Sequence, residues 1–211
     1  MRVVVPFAAE TPKTRLADVL SGDERVAFAE AMLADVLAAV DGAGYEPEVL
    51  STAALSVEDD LGLDVEATVT VEGRRLTPAV NAVLEGTDGP VAVVMADLAI
   101  ATPAALRRLF DADGDVVVAP GRGGGTNALV VRAPDFRVDY HGASFLDHLR
   151  AAEGVGADVS VVDSHRLATD VDTESDLVEV LIHGEGRART WLEDAGFELA
   201  IDRGRVDVRR A

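Results

Sequence analysis

The residues Pro90-Val-Ala-Val-Val-Met95, which Ala96 and Asp97 follow, indicate the fold class of this 211-residue chain. It is a continuous apolar run without polar residues at alternate positions. A strand of that composition is covered on both faces, which is typical of a central parallel strand in an α/β protein. Asp97 then lies at the carboxyl end of a buried strand, where such proteins bind ligands. A carboxylate there is costly unless it is paired or binds a metal, and a turn or helix-capping role is the alternative.

Strands and helices alternate on both sides of this run. Further strands are predicted at residues 2–7, 47–51, 67–71, 115–118, 128–131, 158–162, 197–201 and 205–208. Helices are predicted at residues 22–41, 77–84, 103–111, 143–152, 173–183 and 187–195, with capping by Ser21 and Thr77. This alternation predicts an α/β fold, a three-layer sandwich around a mostly parallel central sheet, in a single domain over residues 1–211.

Composition excludes several classes of protein. The chain has no cysteine, so disulfides and thiolate metal sites are excluded. No apolar run approaches about 18 residues, and the start has no signal-peptide pattern, so a soluble cytoplasmic protein without a membrane partner is expected. The chain carries 38 acidic and 19 basic residues, a net charge of −19, which would repel duplex nucleic acid.

The acidic residues are scattered along the chain, and Lys13 is its only lysine. Scattered carboxylates with arginine in place of lysine indicate a salt-rich cytoplasm, because dense salt screens the self-repulsion that would destabilise the compact state. We therefore expect a halophilic source. The retention of one lysine marks Lys13 as a candidate functional residue.

The stretch Ala119-Pro-Gly-Arg-Gly-Gly-Gly-Thr-Asn-Ala128 joins two predicted strands. Three consecutive glycines cost backbone entropy and bury no side chain, but they let backbone N–H groups close on a bound anion. Arg122 would add a guanidinium and Thr126 a hydroxyl. A long flexible loop is the alternative, and Arg122 stays unassigned between ligand and surface.

A second group of candidates consists of carboxylates and cations near predicted strand ends. Asp170 and Asp172 are two residues apart, so in an extended segment both carboxylates point the same way. Together with Asp97, and with no cysteine and no close pair of histidines, they favour Mg²⁺ over zinc. Capping of the next helix is the alternative role for Asp172. Lys13 and Arg15 would balance bound phosphates or be solvated.

Histidines and nucleotide motifs give weaker signals. Ser144 and His148 are four residues apart on one predicted helix. Ser144 is interpreted either as the N-cap of that helix or as a cap at which the free backbone N–H groups bind an anion. His165 and His183 are interpreted as loop and helix-end residues. The chain has no GxxxxGK[ST] motif and no GxGxxG after its first strand, which argues against P-loop and nicotinamide-binding Rossmann proteins.

Five motifs occur together in a fixed order. They are Lys13-Thr-Arg-Leu16, Asp97-Leu98, Arg122-Gly-Gly-Gly-Thr-Asn-Ala-Leu129, Ser144-Phe145 with His148, and Asp170-Val-Asp-Thr173 with Asp176-Leu177. In this order the chain resembles the 2-phospho-L-lactate guanylyltransferase family of coenzyme F-420 biosynthesis. The resemblance implies a nucleotide-diphospho-sugar transferase-like fold of the GT-A type. It also implies transfer of GMP from GTP to 2-phospho-L-lactate or phosphoenolpyruvate, with release of pyrophosphate, in an organism such as a haloarchaeon.

The resemblance also implies roles for individual residues. Lys13, Arg15 and Asp97 would be catalytic, with Lys13 and Arg15 on the triphosphate. Asp97, Asp170 and Asp172 would hold Mg²⁺. The acceptor would be bound by Gly123, Gly124, Gly125, Thr126, Asn127, His141, Gly142 and Ser144. The chain departs from the family pattern at Ala8, Thr77 and Ala99, and in a one-residue shift of the glycine in Tyr140-His-Gly142.

Two other functions remain open at this stage. A sugar-phosphate or molybdenum-cofactor nucleotidyltransferase would share the fold, although the chain lacks the Gly-Gly-x-x-x-Arg-Met-Gly start of those enzymes. A non-catalytic nucleotide-binding protein is the third alternative. A homodimer is expected only as the commonest default among oligomers.

Overall fold

A seven-stranded sheet forms the centre of the fold. The computed structural model describes residues 1–10, 12–202 and 204–210. The strands are β1 (Arg2–Phe7), β2 (Pro47–Ser51), β3 (Thr68–Val71), β4 (Val91–Val94), β5 (Val116–Pro120), β6 (Thr126–Val131) and β7 (Val159–Val161). Their order is β3-β2-β1-β4-β6-β5-β7. Only β6 among these seven runs against its neighbours, so the prediction of a mostly parallel sheet is confirmed.

Helices cover both faces of this sheet. They are α1 (Gly22–Gly42), α2 (Leu76–Glu85), α3 (Pro103–Phe110), α4 (Ser144–Gly154), α5 (His165–Ala168), α6 (Glu174–His183) and α7 (Arg187–Asp194). One core contains residues of α1, α3, α6 and α7, and the other contains residues of α2 and α4. Along β4, Ala92 and Val94 join the first core while Val91 and Val93 join the second. This split explains why the run lacks polar residues and confirms the α/β three-layer sandwich.

Two predicted details of these elements are wrong. The strand at residues 90–95 is central, but it is parallel only to β1 and pairs antiparallel with β6. Thr77 does not cap α2, because Arg75 occupies the N-cap position. The Thr77 hydroxyl oxygen instead accepts a hydrogen bond from the Tyr140 N–H at 3.0 Å, so it ties the helix to the 139–142 segment.

The chain ends in a separate antiparallel hairpin, β8 (Phe197–Asp202) and β9 (Arg205–Arg210). The hairpin packs against α6 and α7, and Phe197 and Val208 join the first core. Both strands were predicted, and their pairing places them outside the central sheet. Within the described residues, no helix is both long and apolar enough to cross a membrane.

Candidate active site

The predicted carboxylates converge at one edge of the sheet. Asp97 follows β4, and β6, which runs the opposite way, begins beside it at Thr126. The Met95 N–H donates to the Asn127 carbonyl at 2.9 Å, and the Val171 N–H donates to the Asp97 carbonyl at 3.2 Å. The segment between α5 and α6 is thereby held against the end of β4. Backbone pairing thus brings Asp97 close to Asp170 and Asp172, as expected for strand ends at one sheet edge.

Three carboxylates form a cluster at this edge. Asp97, Asp170 and Asp172 each offer an oxygen, and these oxygens lie within 4.8 Å of one another. Asp97 Oδ1 is buried and has no hydrogen-bond partner among the described residues. An unpartnered buried carboxylate oxygen is costly, so this atom fits a metal ligand better than a structural acceptor.

Lys13 places its ammonium between two of these carboxylates. Its Nζ donates to Asp97 Oδ2 at 2.5 Å and to Asp172 Oδ1 at 2.8 Å, and Arg15 Nη1 donates to Asp172 Oδ2 at 2.8 Å. Lys13 has a left-handed backbone, φ 53°, the only non-glycine residue with positive φ in the described chain. The ammonium is nearly buried, whereas Arg15 is exposed. Both predicted cations therefore face the carboxylates in this structure.

Burial and opposed charges determine the ionisation of this cluster. Burial raises the pKa of the Asp97 carboxyl, Asp170 and Asp172 add to the increase, and Lys13 offsets only part of it. Burial opposes the charged form of Lys13, but attraction to the two carboxylates outweighs it and raises the lysine pKa. Burial also opposes ionisation of Asp172, but Lys13 and Arg15 together lower its pKa. A divalent cation would relieve the repulsion that remains.

A β-bulge positions Asn127. Ala119 pairs with Ala128 and Pro120 pairs with Thr126, so Asn127 is an extra residue on β6. Its side-chain amide donates to the Leu167 carbonyl and to Asp170 Oδ1, both at 3.0 Å. The bulge therefore directs Asn127 toward the carboxylates and leaves Thr126 free to point to the other face.

The glycine loop forms a tight turn with internal hydrogen bonds. The Gly121 N–H donates to the Gly125 carbonyl, and the Gly124 N–H donates to the Gly121 carbonyl. Gly124 has φ +82°, a conformation that favours glycine, whereas a side chain at Gly123 would meet open space. The Phe145 N–H donates to the Gly124 carbonyl and anchors the turn to α4. The alternative of a long flexible loop does not describe this geometry.

Arg122 extends from this turn toward α6. Its Nη2 donates to Asp176 Oδ1 at 2.7 Å, and its N–H donates to the Ala168 carbonyl. Asp176 Oδ2 in turn accepts from the N–H groups of Asp172 and Thr173, because Thr173 is the N-cap of α6 and Asp176 is its N3 partner in a capping box. Arg122 thus links the glycine loop to the segment that carries Asp172. The sequence pattern left its role open.

Thr126, Ser144 and His148 form a buried polar group beneath the loop. Ser144 does not cap α4, since Ala143 occupies that position; its Oγ accepts from the Thr126 N–H at 2.9 Å. His148 Nε2 accepts from the Asp139 N–H at 3.0 Å, so Nδ1 carries the proton and donates to Thr126 Oγ1 at 2.9 Å. Burial lowers the His148 pKa to about 4. The spacing of four residues placed His148 on the same helix face as Ser144, but it did not predict the contact of His148 with Thr126.

His141 lies in the exposed segment that precedes α4. The His141 side chain is 77% exposed, and its Nδ1 contacts Asp139 Oδ1. Gly142 follows with φ +51°, and a β-carbon at this position would meet no atom within 4 Å. Both residues lie in the segment that Thr77 and His148 hold through Tyr140 and Asp139.

A cleft of about 380 Å³ opens beside Lys13. Its lining includes the charged residues Lys13, Arg15, Asp97 and Asp172 and the apolar residues Phe7, Met32 and Met95. Ala8, one of the departures from the family pattern, also lines it, whereas Ala99 is buried. A cleft lined by both charged and apolar side chains suits a ligand that has a charged part and an apolar part.

The expectation that no histidines lie close together is wrong. The His165 and His183 rings are 5.1 Å apart, centroid to centroid, and both face Glu179. The pair was missed because α5 and α6 are brought together by tertiary packing and not by sequence spacing.

A family model described as guanylyl transferase CofC like matches residues 1–211. Among similar proteins, the 2-phospho-L-lactate guanylyltransferase of Halomicrobium mukohataei is 60% identical over 210 residues, covering 100% of both chains. The protein of that name from Haloferax volcanii is 59% identical over 211 residues, covering 100% of this chain and 98% of the other. These sources are haloarchaea, which agrees with the acidic composition.

Solved structures give the same fold at low identity. A chain from Desulfovibrio desulfuricans G20, provisionally described as a nucleotide-diphospho-sugar transferase, matches with a TM-score of 0.69 at 16% identity, covering 92% of this chain and 95% of the other. A nucleotidyl transferase from Methanothermobacter thermautotroptrophicus matches with a TM-score of 0.58 at 21% identity, covering 86% and 97%. These likenesses show the nucleotide-diphospho-sugar transferase-like fold alone. Because the family model spans the whole chain and relatives reach 60% identity, this protein belongs to the CofC-like guanylyl transferase family of nucleotidyltransferases.

Proposed function

We propose that this protein joins GMP from GTP to 2-phospho-L-lactate and releases pyrophosphate, a step of coenzyme F-420 biosynthesis. One observation carries the proposal: Asp97 Oδ1, buried and without a hydrogen-bond partner among residues 1–10, 12–202 and 204–210, lies within a cluster of three carboxylates beside a cleft that Lys13 and Arg15 line. The names of the relatives supply the acceptor and the base. The whole chain would act as one nucleotidyltransferase domain in the cytoplasm, where GTP is available.

The residues present fit a bound Mg²⁺ ion. Asp97, Asp170 and Asp172 would hold it, because carboxylate oxygens are the ligands that Mg²⁺ prefers. When bound, the ion supplies positive charge that stabilises the phosphates as the transferred group changes partner. Asn127 would keep Asp170 in position through its amide hydrogen bond.

The transfer needs no general base. The acceptor phosphate is already an anion, and one of its oxygens forms a bond to the α-phosphorus of GTP while the bond to the bridging oxygen of the pyrophosphate breaks. The electron pair leaves with pyrophosphate. Lys13 and Arg15 would neutralise that departing charge, and the cluster would hold the reacting groups in line. Lys13 is suited to this because its ammonium reaches both the carboxylates and the cleft.

The glycine loop and the start of α4 would bind the acceptor. Thr126 Oγ1 accepts from His148, so its own proton is free to be donated to a carboxylate or phosphate oxygen. The Ser144 oxygen accepts from the Thr126 N–H, so its hydroxyl proton is free as well. Gly123, Gly124, Gly125, Asn127, His141 and Gly142 would complete the site. A three-carbon acceptor with a carboxylate beside its phosphate could engage both hydroxyls.

Pyrophosphate release tests this function across substrates. GTP, ATP and CTP are each combined with 2-phospho-L-lactate, phosphoenolpyruvate and glucose 1-phosphate, with Mg²⁺ and high KCl. We expect release with GTP and 2-phospho-L-lactate. A preference for phosphoenolpyruvate would change the acceptor, and a preference for glucose 1-phosphate or for another nucleotide would overturn the proposal. Release from no pair would favour a non-catalytic nucleotide-binding protein.

A further inference from the structure

His165, Glu179 and His183 form a second cluster of metal-ligating side chains, apart from the proposed active site. His165 Nε2 lies 3.2 Å from Glu179 Oε2, and His183 Nε2 lies 3.6 Å from the same oxygen. One donor atom from each residue lies within 4.8 Å of the others. His165 begins α5, while Glu179 and His183 are four residues apart on α6 and therefore share a helix face.

These distances match the ligand spacing of a transition-metal ion. With metal–ligand bonds of about 2.0–2.1 Å, the edge of a tetrahedral site is roughly 3.3–3.4 Å. The two nitrogen–oxygen distances lie on either side of that value. All three side chains are at the surface, with His165 half exposed and Glu179 the most buried. Small rotamer adjustments would complete the geometry and leave at least one position open to water.

The surrounding charges define the ion. Glu179 Oε1 lies 3.7 Å from Arg122 Nη1, so only Oε2 faces the histidines. Arg166 Nη1 donates to the His183 carbonyl and adds positive charge nearby. A hard cation such as Mg²⁺ prefers oxygen ligands, and this cluster offers it only one carboxylate oxygen. The two imidazole nitrogens instead favour Zn²⁺, Co²⁺ or Ni²⁺. The net charge of −19 attracts dications to the protein as a whole.

We propose that His165, Glu179 and His183 bind a transition-metal dication of the Zn²⁺ class and so fasten α5 to α6. The segment 169–173, which carries Asp170 and Asp172, joins these two helices. An ion that bridges the helices restricts the motion of this segment. The site thus affects the rigidity of the carboxylate cluster without contacting it, and Arg122, beside Glu179, extends the connection to the glycine loop.

Co²⁺ binding monitored by visible absorption tests the site. The titration is done on the full chain in high KCl with excess Mg²⁺, which occupies oxygen-only sites. We expect one Co²⁺ per chain with absorption bands of nitrogen ligation, displaced by Zn²⁺. Since the loss of even an indirect partner costs about 10–100-fold in metal affinity, His183→Asn and His165→Asn should each weaken binding at least about tenfold. His141→Asn removes an exposed imidazole elsewhere and should leave the affinity unchanged.

Hydrogen exchange tests the effect on the helices. The N–H groups of Val171 and Thr173 donate to Asp97 and Asp176, so their exchange reports opening of the segment 169–173. Zn²⁺ should slow both amides in the wild-type protein and not in His183→Asn. Equal Co²⁺ affinity in wild type and His183→Asn, or an all-oxygen spectrum, would overturn the site. Metal binding with unchanged exchange at these amides would overturn its fastening role.

Discussion

At the scale of single residues, Asp97 is the side chain on which the cluster depends. One of its oxygens accepts a hydrogen bond from Lys13, and the other is buried and has no partner in the part of the chain that the structure describes. A carboxylate kept in that condition costs stability, so its presence is better explained by ligand binding than by folding. Its replacement should therefore affect turnover far more than stability.

Asp97→Asn should lower kcat by at least about a hundredfold, a loss typical of removing one electrostatic contact to a transition state. The asparagine keeps the volume and removes the charge that a cation requires. Pyrophosphate release with saturating GTP and acceptor measures the effect, and the unfolding midpoint in the same buffer reports stability. Asp64→Asn removes an exposed carboxylate that is not part of the cluster, and it should leave both values unchanged. Wild-type turnover by Asp97→Asn would refute the metal assignment.

His148 should make the stability of the protein depend on pH. Its pKa is lowered from 6.5 to about 4, because burial disfavours the charged ring and Asp139 and Asp147 offset this only partly. A protonated ring would also direct a second N–H at the Asp139 N–H. Between pH 6.5 and pH 4 the unfolded chain binds a proton at this residue that the folded protein does not. The contribution of neutral His148 to the unfolding free energy is therefore fully present above about pH 6.5. It is lost as the pH falls, by roughly 3 kcal/mol near pH 4.

His148→Gln separates this effect from the titration of the many carboxylates. Glutamine supplies one donor and one acceptor but no titrating group. Urea unfolding of both proteins at constant KCl, from neutral pH to about pH 4, gives the difference in unfolding free energy. The advantage of the wild type should shrink as the pH falls. A difference that stays constant over this range would show that His148 is not held neutral.

Sequence could locate some of these residues and not others. Asp97 was predictable because an apolar run ends at it, and Asp170 and Asp172 because residues two apart in an extended segment point the same way. Lys13 was marked only by its rarity, and its position between two carboxylates depends on a left-handed backbone that no sequence rule indicates for lysine. The contact of His148 with Thr126 and the pairing of His165 with His183 arise from packing between distant segments.

At the scale of elements, the glycine loop and the bulge of β6 act together. The glycine turn leads directly into β6, and the extra residue of the bulge, Asn127, donates a hydrogen bond from its side-chain amide to Asp170. The absence of a side chain at Gly121 is required for this, since a β-carbon there would lie 2.5 Å from Asn127 Oδ1. A β-carbon at Gly123 would meet nothing within 4 Å.

The two glycines therefore give a matched pair of variants. Gly121→Ala should displace Asn127, lower the unfolding free energy by about 1–3 kcal/mol as overpacking does, and reduce kcat through Asp170. Gly123→Ala should leave stability unchanged and raise the KM of the acceptor, because a methyl group blocks the backbone that would approach it. Urea unfolding and initial rates on both variants check this. Equal stability of the two variants would contradict the role of Gly121, and an unchanged acceptor KM in Gly123→Ala would contradict the anion cradle.

The elements themselves were largely predictable from hydrophobic pattern and capping residues. The boundaries of β1 and β2 agree with the prediction, and the Ser21 capping box begins α1 as expected. The bulge at Asn127 was not predictable, because a single extra residue leaves the apolar pattern of β6 almost unchanged. The four-residue helix α5 is too short to show a period, yet it supplies His165 and leads into Asp170.

At the scale of the whole molecule, the charge balance determines the conditions in which the fold is stable. There are twice as many acidic as basic residues, and the acidic ones are spread along the chain. Several ion pairs, such as Arg2 with Glu48, offset part of the repulsion, but 19 basic residues cannot neutralise 38 acidic ones. Self-repulsion of this kind opposes the compact state, and exposed ion pairs contribute little to counter it.

Stability should therefore rise with salt concentration. Between about 0.1 M and about 1 M KCl the Debye length falls from about 10 Å to about 3 Å, so repulsion between neighbouring surface carboxylates is largely screened. Thermal unfolding should show a midpoint that increases steeply over this range and then levels off. Tetramethylammonium chloride at equal ionic strength should give most of the same increase, since screening does not depend on which cation carries the charge. Sucrose, which favours compact states without screening, should not reproduce that steep increase. A midpoint that does not change with KCl, or that falls because ion pairs are weakened, would show that the acidic surface is not what makes this protein depend on salt.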